Sequence, residues 1–170
     1  NINKDYDWLT KNNIFDVELK NYSEKKSILA VQGPASRDIF LNVLNINVRD
    51  LKFYTFINCE LFDENVIISR TGYTGELGFE ILGDTETINQ MWDTMISSKI
   101  SPSGLAARDI LRIEMGYCLY GHEINETINP IDAGLSWIIN TSDDDTFACM
   151  DPSSEPWSST DPLSDANNFT

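Results

Sequence analysis

The feature that most constrains the fold of this 170-residue chain is a glycine-rich stretch between two strand-like runs. The run at residues 65–72 reads NVIISRTG, and the run at residues 78–82 reads GFEIL. Gly72, Gly75 and Gly78 lie between or at their ends. Because glycine tolerates positive φ and close backbone approach, we expect a tight reversal of the chain here. The same freedom would let the backbone approach a ligand, so the stretch has both a structural and a chemical interpretation.

The remaining segments alternate between strand-like and helix-like patterns. Alternation or continuous apolar runs predict strands at 14–21, 27–34, 51–62, 65–72 and 78–82, with a turn at 63–65. Apolar residues at helical spacing predict helices at 2–12, 35–44, 86–98 and 101–116. This order predicts an α+β fold, in which a mainly antiparallel sheet has helices packed on one face.

The composition changes abruptly near the end of the chain. Residues 140–170 contain no lysine or arginine and show no apolar periodicity. Their seven acidic residues are Asp143, Asp144, Asp145, Asp151, Glu155, Asp161 and Asp165. Such a segment cannot bury enough surface to offset its ordering entropy, so we predict that it is disordered. We therefore divide the chain into a folded domain, 1–139, and an acidic tail, 140–170.

Charge and hydropathy argue against two classes of partner. The net charge is −15, and residues 1–140 alone carry 20 acidic and 12 basic groups. A nucleic-acid-binding domain needs a basic footprint, so no nucleic-acid partner is expected. No stretch reaches the roughly 20 apolar residues of a membrane span, and no signal peptide is visible. No membrane association is expected either.

The cysteine pattern indicates a reducing compartment. Cys59, Cys118 and Cys149 are odd in number and widely spaced, and His122 is the sole histidine. Neither a zinc site nor a disulfide scaffold is expected from this pattern. We therefore expect a cytoplasmic location, or a mitochondrial one in a eukaryote.

Glu80 is the first candidate site residue. It lies between Phe79 and Ile81, so it faces the opposite side of the sheet if these two face the core. It is then either a solvent-facing glutamate or a cleft carboxylate with two acceptors side by side. The second arrangement suits a ligand with two adjacent N–H donors, such as the 2-amino and N3 edge of a pterin. Tyr73, across the glycine-rich turn, would stack on or bond to the same ligand.

The helix predicted at 104–116 supplies a second candidate. Apolar residues cover most of its circumference, which predicts packing on several sides. Arg108, Asp109 and Arg112 share one polar stripe, so Arg108 either pairs with a structural carboxylate or faces a cleft. His122 beside Glu123 would suit a general base, although a structural role is the favoured interpretation.

Four blocks of sequence resemble those of one enzyme family, in the same order. The blocks are LAVQGP (29–34), RTGYTGELGFEI (70–81), GLAARDILRIEMGYCLYGHEI (104–124) and NPIDAGLSW (129–137). They resemble the glycine cleavage system T-protein, an aminomethyltransferase, over about residues 1–139. The resemblance implies that tetrahydrofolate takes a methylene group from the aminomethyl-lipoyl arm of a partner H-protein, with release of ammonia. It also implies folate contacts for Glu80 and roles for Arg108 and Tyr73, which match family motifs.

The resemblance also implies limits on this chain. The family's catalytic aspartate lies in a block before residue 1, so no aspartate here receives a catalytic role. The acidic tail departs from the family's continuation. We therefore expect a central piece of a T-protein, truncated at both ends and inactive alone.

Two related families remain as alternatives. One is the folate half of a demethylating oxidase, which would need a flavin domain elsewhere, and no G-x-G-x-x-G motif is present here. The other is a non-enzymatic, folate-binding paralogue linked to iron–sulfur assembly. That paralogue carries a K-G-C-Y-x-G-Q type of block, whereas residues 116–122 read GYCLYGH, which favours the T-protein.

Overall fold

Four antiparallel strands form the sheet of this protein, in a computed structural model that describes residues 1–15 and 17–139. The strands are β1 (Lys26–Gln32), β2 (Phe56–Leu61), β3 (Glu64–Ser69) and β4 (Gly78–Asp84). Their order across the sheet is β1-β4-β3-β2. The antiparallel sheet that the sequence predicts is therefore confirmed, and the glycine-rich stretch connects two neighbouring strands.

The helices lie where apolar spacing predicts them. They are α1 (Ile2–Lys11), α2 (Ser36–Leu44), α3 (Thr85–Ser97) and α4 (Leu105–Glu114), followed by a 3-10 turn at Ser136–Ile138. Both α2 and α3 contact the sheet. None of the helices in the described part of the chain is long and apolar enough to cross a membrane.

The hydrophobic core occupies one face of the sheet. Along β4, Phe79 and Ile81 are fully buried, whereas Leu82, between core positions, is exposed to 36%. The ring of Phe40 from α2 packs 5.0 Å from that of Phe79, and Met91 of α3 joins the same cluster. Each buried side chain of this size contributes about 1.5–3 kcal/mol. Burial on one face confirms the α+β arrangement and leaves Glu80 on the other.

The hairpin between β2 and β3 has a tighter turn than the sequence indicates. Its loop is Phe62 and Asp63, with φ of 52° and 62°, whereas we expected the turn at 63–65. Two consecutive positive φ angles are typical of a type I′ turn, whose twist matches that of the flanking strands. Glu64 therefore already pairs with Leu61 in the ladder.

The strand predicted at 14–21 is wrong. In the described part of this segment no strand forms, and Ile14, Phe15 and Val17 are 82%, 78% and 54% exposed. Alternation indicates which residues would share a face, but a strand also needs a hydrogen-bonded neighbour. The strand β1 lies at the edge of the sheet and pairs with β4 on one side. The described residues of 14–21 do not add a strand to its other side.

Among the described residues, the expectation that α4 packs on several sides is not met. Leu105, Ile110 and Ile113 are 84%, 58% and 54% exposed. Periodicity reports that a helix has apolar faces, but it does not report whether anything covers them.

The chain divides into two compact units. The first is Asn1–Arg108, and the second begins at Asp109, within α4. The predicted acidic tail, 140–170, lies outside the described residues. The boundary at 139/140 therefore stays a prediction.

Candidate functional site

The glycine-rich stretch packs against one side chain, that of Gln32 in β1. A Cβ atom added to Gly72 or to Gly78 would lie 2.0 Å from Oε1 of Gln32. No side chain larger than hydrogen fits at either position while the amide stays in place. At Gly75 glycine is favoured for a different reason, because its φ of 73° lies in the left-handed region. Two glycines therefore permit close approach and one permits a left-handed backbone.

Hydrogen bonds hold the Gln32 amide in this position. Its Nε2 donates to the backbone carbonyl oxygens of Thr71, at 3.3 Å, and Phe79, at 3.1 Å. Its Oε1 accepts from the hydroxyl of Thr74 at 3.3 Å. Because Thr71 and Thr74 both lie in the glycine-rich stretch, these bonds fasten that stretch to β1. They also fix the backbone that carries Tyr73.

The carboxylate of Glu80 is held by the same stretch. Glu80 is half-buried on the face of β4 away from the core. The Thr71 hydroxyl donates a hydrogen bond to Glu80 Oε2 at 2.5 Å, and the Ser69 hydroxyl lies 2.9 Å from that of Thr71. Ser69 is also the register partner of Glu80 across the β3–β4 ladder. The carboxylate is thus oriented by its neighbours rather than extended into solvent.

Tyr73 and Arg108 are in direct contact. The guanidinium carbon of Arg108 lies 4.7 Å from the centroid of the Tyr73 ring. This distance is within the range of a cation–π interaction. Arg108 is exposed, and Tyr73 is half-buried. The structure therefore brings these two predicted site residues together and links Glu80 to Thr71, two positions before Tyr73.

In the second unit, Arg112 is the arginine that forms a structural ion pair. It is 2% exposed, with Nε 2.7 Å from Asp109 and Nη1 2.7 Å from Glu123. Nη1 also donates to the carbonyl oxygen of Tyr117 at 2.9 Å. The sequence predicted that Arg108 either pairs with a structural carboxylate or faces a cleft. In the structure, the arginine of the polar stripe that pairs with structural carboxylates is Arg112.

Glu123 serves this ion pair. Its Oε2 accepts from the backbone N–H of Leu119 at 2.9 Å as well as from Arg112. The hydrogen bond from Leu119, followed by that from Arg112, lowers the pKa of Glu123 to about 2. An effective general base has a pKa near the working pH. The geometry therefore favours a structural role for Glu123.

Sequence reasoning missed two residues of the first unit's site, Gln32 and Thr71. Gln32 is the register partner of Gly78, and because register is a property of the folded sheet, no signal in the sequence identified this pair. Thr71 lies in a loop with no regular pattern, and nothing in the sequence identified its contact with Glu80.

Comparison with known proteins agrees with this fold. The family model described as the GCVT N-terminal domain matches residues 1–143. A curated relative from Halothermothrix orenii, named aminomethyltransferase, is 42% identical over 143 residues, which are 82% of this chain. A relative of the same name from Bacteroides fragilis is 43% identical over 152 residues, which are 86% of this chain.

A solved structure is also similar. The crystal structure of glycine cleavage system aminomethyltransferase T from Bartonella henselae matches with a TM-score of 0.66 and 32% identity, over 79% of this chain and 36% of that one. The chain spans 40% of the length of the Halothermothrix relative and 42% of that of the Bacteroides relative. The resemblance seen in the four sequence blocks is thus confirmed, and the chain belongs to the GCVT N-terminal domain family.

Proposed function

We propose that this chain is the tetrahydrofolate-binding part of an aminomethyltransferase of the glycine cleavage system. Curated relatives bear the name aminomethyltransferase, and the similar solved structure carries the name of that system. The proposed reaction transfers a methylene group from an aminomethyl-lipoyl arm to tetrahydrofolate and releases ammonia. Tetrahydrofolate supplies the acceptor for the one-carbon unit.

The observation that carries the proposal is the hydrogen bond from Thr71 to Glu80. Since the hydroxyl donates, the carboxylate of Glu80 acts as an acceptor in this geometry. A carboxylate has about four acceptor positions, so Oε1 and part of Oε2 remain for a ligand. The pterin edge offers two adjacent N–H donors, which match two carboxylate oxygens side by side. The donor and acceptor chemistry of the site therefore fits tetrahydrofolate.

Tyr73 and Arg108 would provide the flat part of the binding site. The ring of Tyr73 has one face against Arg108, so its position is restrained before a ligand arrives. A restrained aromatic side chain loses less conformational entropy when a planar ligand stacks against it. Arg108 is exposed, so its positive charge is also accessible to an anionic part of the ligand. We therefore assign both residues to ligand binding.

The proposed partner is a lipoyl-carrying H-protein, which would present the aminomethyl group to the bound tetrahydrofolate. We assign none of the described residues to the acid–base step of the transfer. The proposed location is the cytoplasm, in keeping with bacterial relatives and with an odd, widely spaced set of cysteines.

Titration calorimetry with tetrahydrofolate tests this proposal. The expected result is saturable binding at one site per chain. p-Aminobenzoylglutamate lacks the pterin edge, so it should bind at least about tenfold more weakly if Glu80 contacts that edge, since charge-assisted hydrogen bonds contribute about 1.5–3 kcal/mol. Equal binding of the two compounds, or no binding of tetrahydrofolate, would contradict the proposal.

A further inference from the structure

Thr71 carries the contact that orients Glu80. Thr71 is half-buried and lies two residues after the end of β3. Glu80 lies in the middle of β4. The two are nine positions apart in the sequence, and the hydroxyl of Thr71 reaches the carboxylate at 2.5 Å. The carboxylate is thereby anchored by the loop that the Gln32 amide fastens to β1.

The hydrogen count assigns a direction to this network. A threonine hydroxyl has one hydrogen, and Thr71 gives it to Glu80 Oε2. The 2.9 Å contact between the hydroxyls of Ser69 and Thr71 then requires Ser69 to be the donor. The Ser69 hydroxyl also donates to the backbone carbonyl oxygen of Glu80 at 3.2 Å, so its one hydrogen is shared between two acceptors. Thr71 is therefore the donor to the carboxylate, and Ser69 donates to the Thr71 hydroxyl and to the Glu80 backbone.

We propose that Thr71 is a positioning and specificity-determining residue of the folate site, because its hydroxyl holds the Glu80 carboxylate in one orientation as an acceptor. This inference rests on the proposed function. An acceptor that is fixed in place favours a ligand edge with two N–H donors and disfavours an edge that lacks one of them. A carboxylate free to rotate would adapt to either edge and discriminate less.

The test compares tetrahydrofolate with its 2-desamino analogue, which lacks one of the two donors. Affinities are measured by titration calorimetry for the wild-type chain, Thr71→Val and Thr71→Ser. Valine matches the shape of threonine without the hydroxyl, and serine retains the hydroxyl. The wild type should prefer tetrahydrofolate by about tenfold or more, since an unpaired acceptor costs at least the value of one charge-assisted hydrogen bond. Thr71→Val should reduce that preference to about threefold or less, and Thr71→Ser should restore it.

Ser69→Ala provides an independent variant, because it removes the hydroxyl that contacts both the Thr71 hydroxyl and the backbone carbonyl oxygen of Glu80. Its preference for tetrahydrofolate over the 2-desamino analogue should also fall, but by less than in Thr71→Val. If a thermal melt shows that Thr71→Val does not fold, the Ser69→Ala variant tests the role of the Thr71 hydroxyl instead. An unchanged preference in the folded variants would overturn the role of Thr71. Absence of tetrahydrofolate binding by the wild type would overturn the proposed function and, with it, this inference. A changed preference confined to the valine and alanine variants supports both.

Discussion

Gln32 and Gly78 face each other across the β1–β4 ladder, and a single methyl group on Gly78 would lie 2.0 Å from the Gln32 amide oxygen. The amide is held by Thr71, Phe79 and Thr74, so it cannot move aside without losing hydrogen bonds. This pair explains why the strand begins with a glycine. It also joins the glycine-rich stretch to the edge of the sheet.

Replacement of Gly78 by alanine should destabilise the fold. Because the amide of Gln32 must leave its position, we expect a loss of about 1–3 kcal/mol in the free energy of unfolding. Urea denaturation measures this change. Gly104→Ala is the matched control with little expected effect, since nothing lies within 4 Å of a Cβ atom there.

The same substitution made together with Gln32→Ala separates steric conflict from backbone effects. Removal of the amide creates space for the new methyl group, so Gly78→Ala should cost at least about 1 kcal/mol less in this background. An equal cost in both backgrounds would show that the contact with Gln32 is not the reason for the glycine.

The ion pair between Arg112 and Glu123 predicts an acid sensitivity. The pKa of Glu123 falls from an ordinary value of 4.5 to about 2 in the folded state. Its stabilisation is therefore complete above about pH 4.5 and is lost as the pH falls toward 2, because the unfolded carboxyl takes up its proton first. Urea unfolding between pH 2 and 6 should show a steeper loss for the wild type than for Glu123→Gln. Parallel curves would contradict this role for Glu123.

The contact between Tyr73 and Arg108 should appear as an energetic coupling. In a double-mutant cycle with Tyr73→Leu and Arg108→Met, we expect a coupling of about 0.5–1 kcal/mol in unfolding free energy, the range for exposed cation–π pairs. Arg49→Met is the control arginine, since Arg49 lies on the surface 3.9 Å from Asp38. A coupling no larger than that of the control would mean that the stacking does not persist in solution.

Local patterns were sufficient to predict much of the fold. The alternation around Glu80 correctly predicted that Glu80 faces away from the core if Phe79 and Ile81 face it, as they do. Apolar spacing likewise predicted α3, whose Met91 and Met95 are buried. These predictions succeed because strand and helix periodicity depends on residues close in sequence.

Local periodicity could not predict the contacts between segments that are distant in the sequence. The polar stripe of α4 contains Arg108 and Arg112, and the assignment of the structural carboxylates to Arg112 depends on where Glu123 returns to the helix. The position of Gln32 between two glycines depends on the register of β1 against β4. Register and loop return are tertiary properties, so they appear only once the chain is folded.

The central claim is that Glu80 binds tetrahydrofolate through its carboxylate. Glu80→Gln preserves shape and keeps an oxygen that accepts from Thr71, but it replaces the other acceptor with a donor. Loss of charge-assisted hydrogen bonds, worth about 1.5–3 kcal/mol, should weaken binding by roughly tenfold or more. Glu76→Gln is the matched control, because Glu76 is exposed on the same glycine-rich stretch.

The most direct measurement is titration calorimetry of the wild type, Glu80→Gln and Glu76→Gln with tetrahydrofolate, beside a thermal melt of each. The account predicts that only Glu80→Gln loses affinity and that all three chains melt at similar temperatures. Unchanged affinity together with a lowered melting temperature for Glu80→Gln would show that Glu80 is a structural residue and would contradict the account.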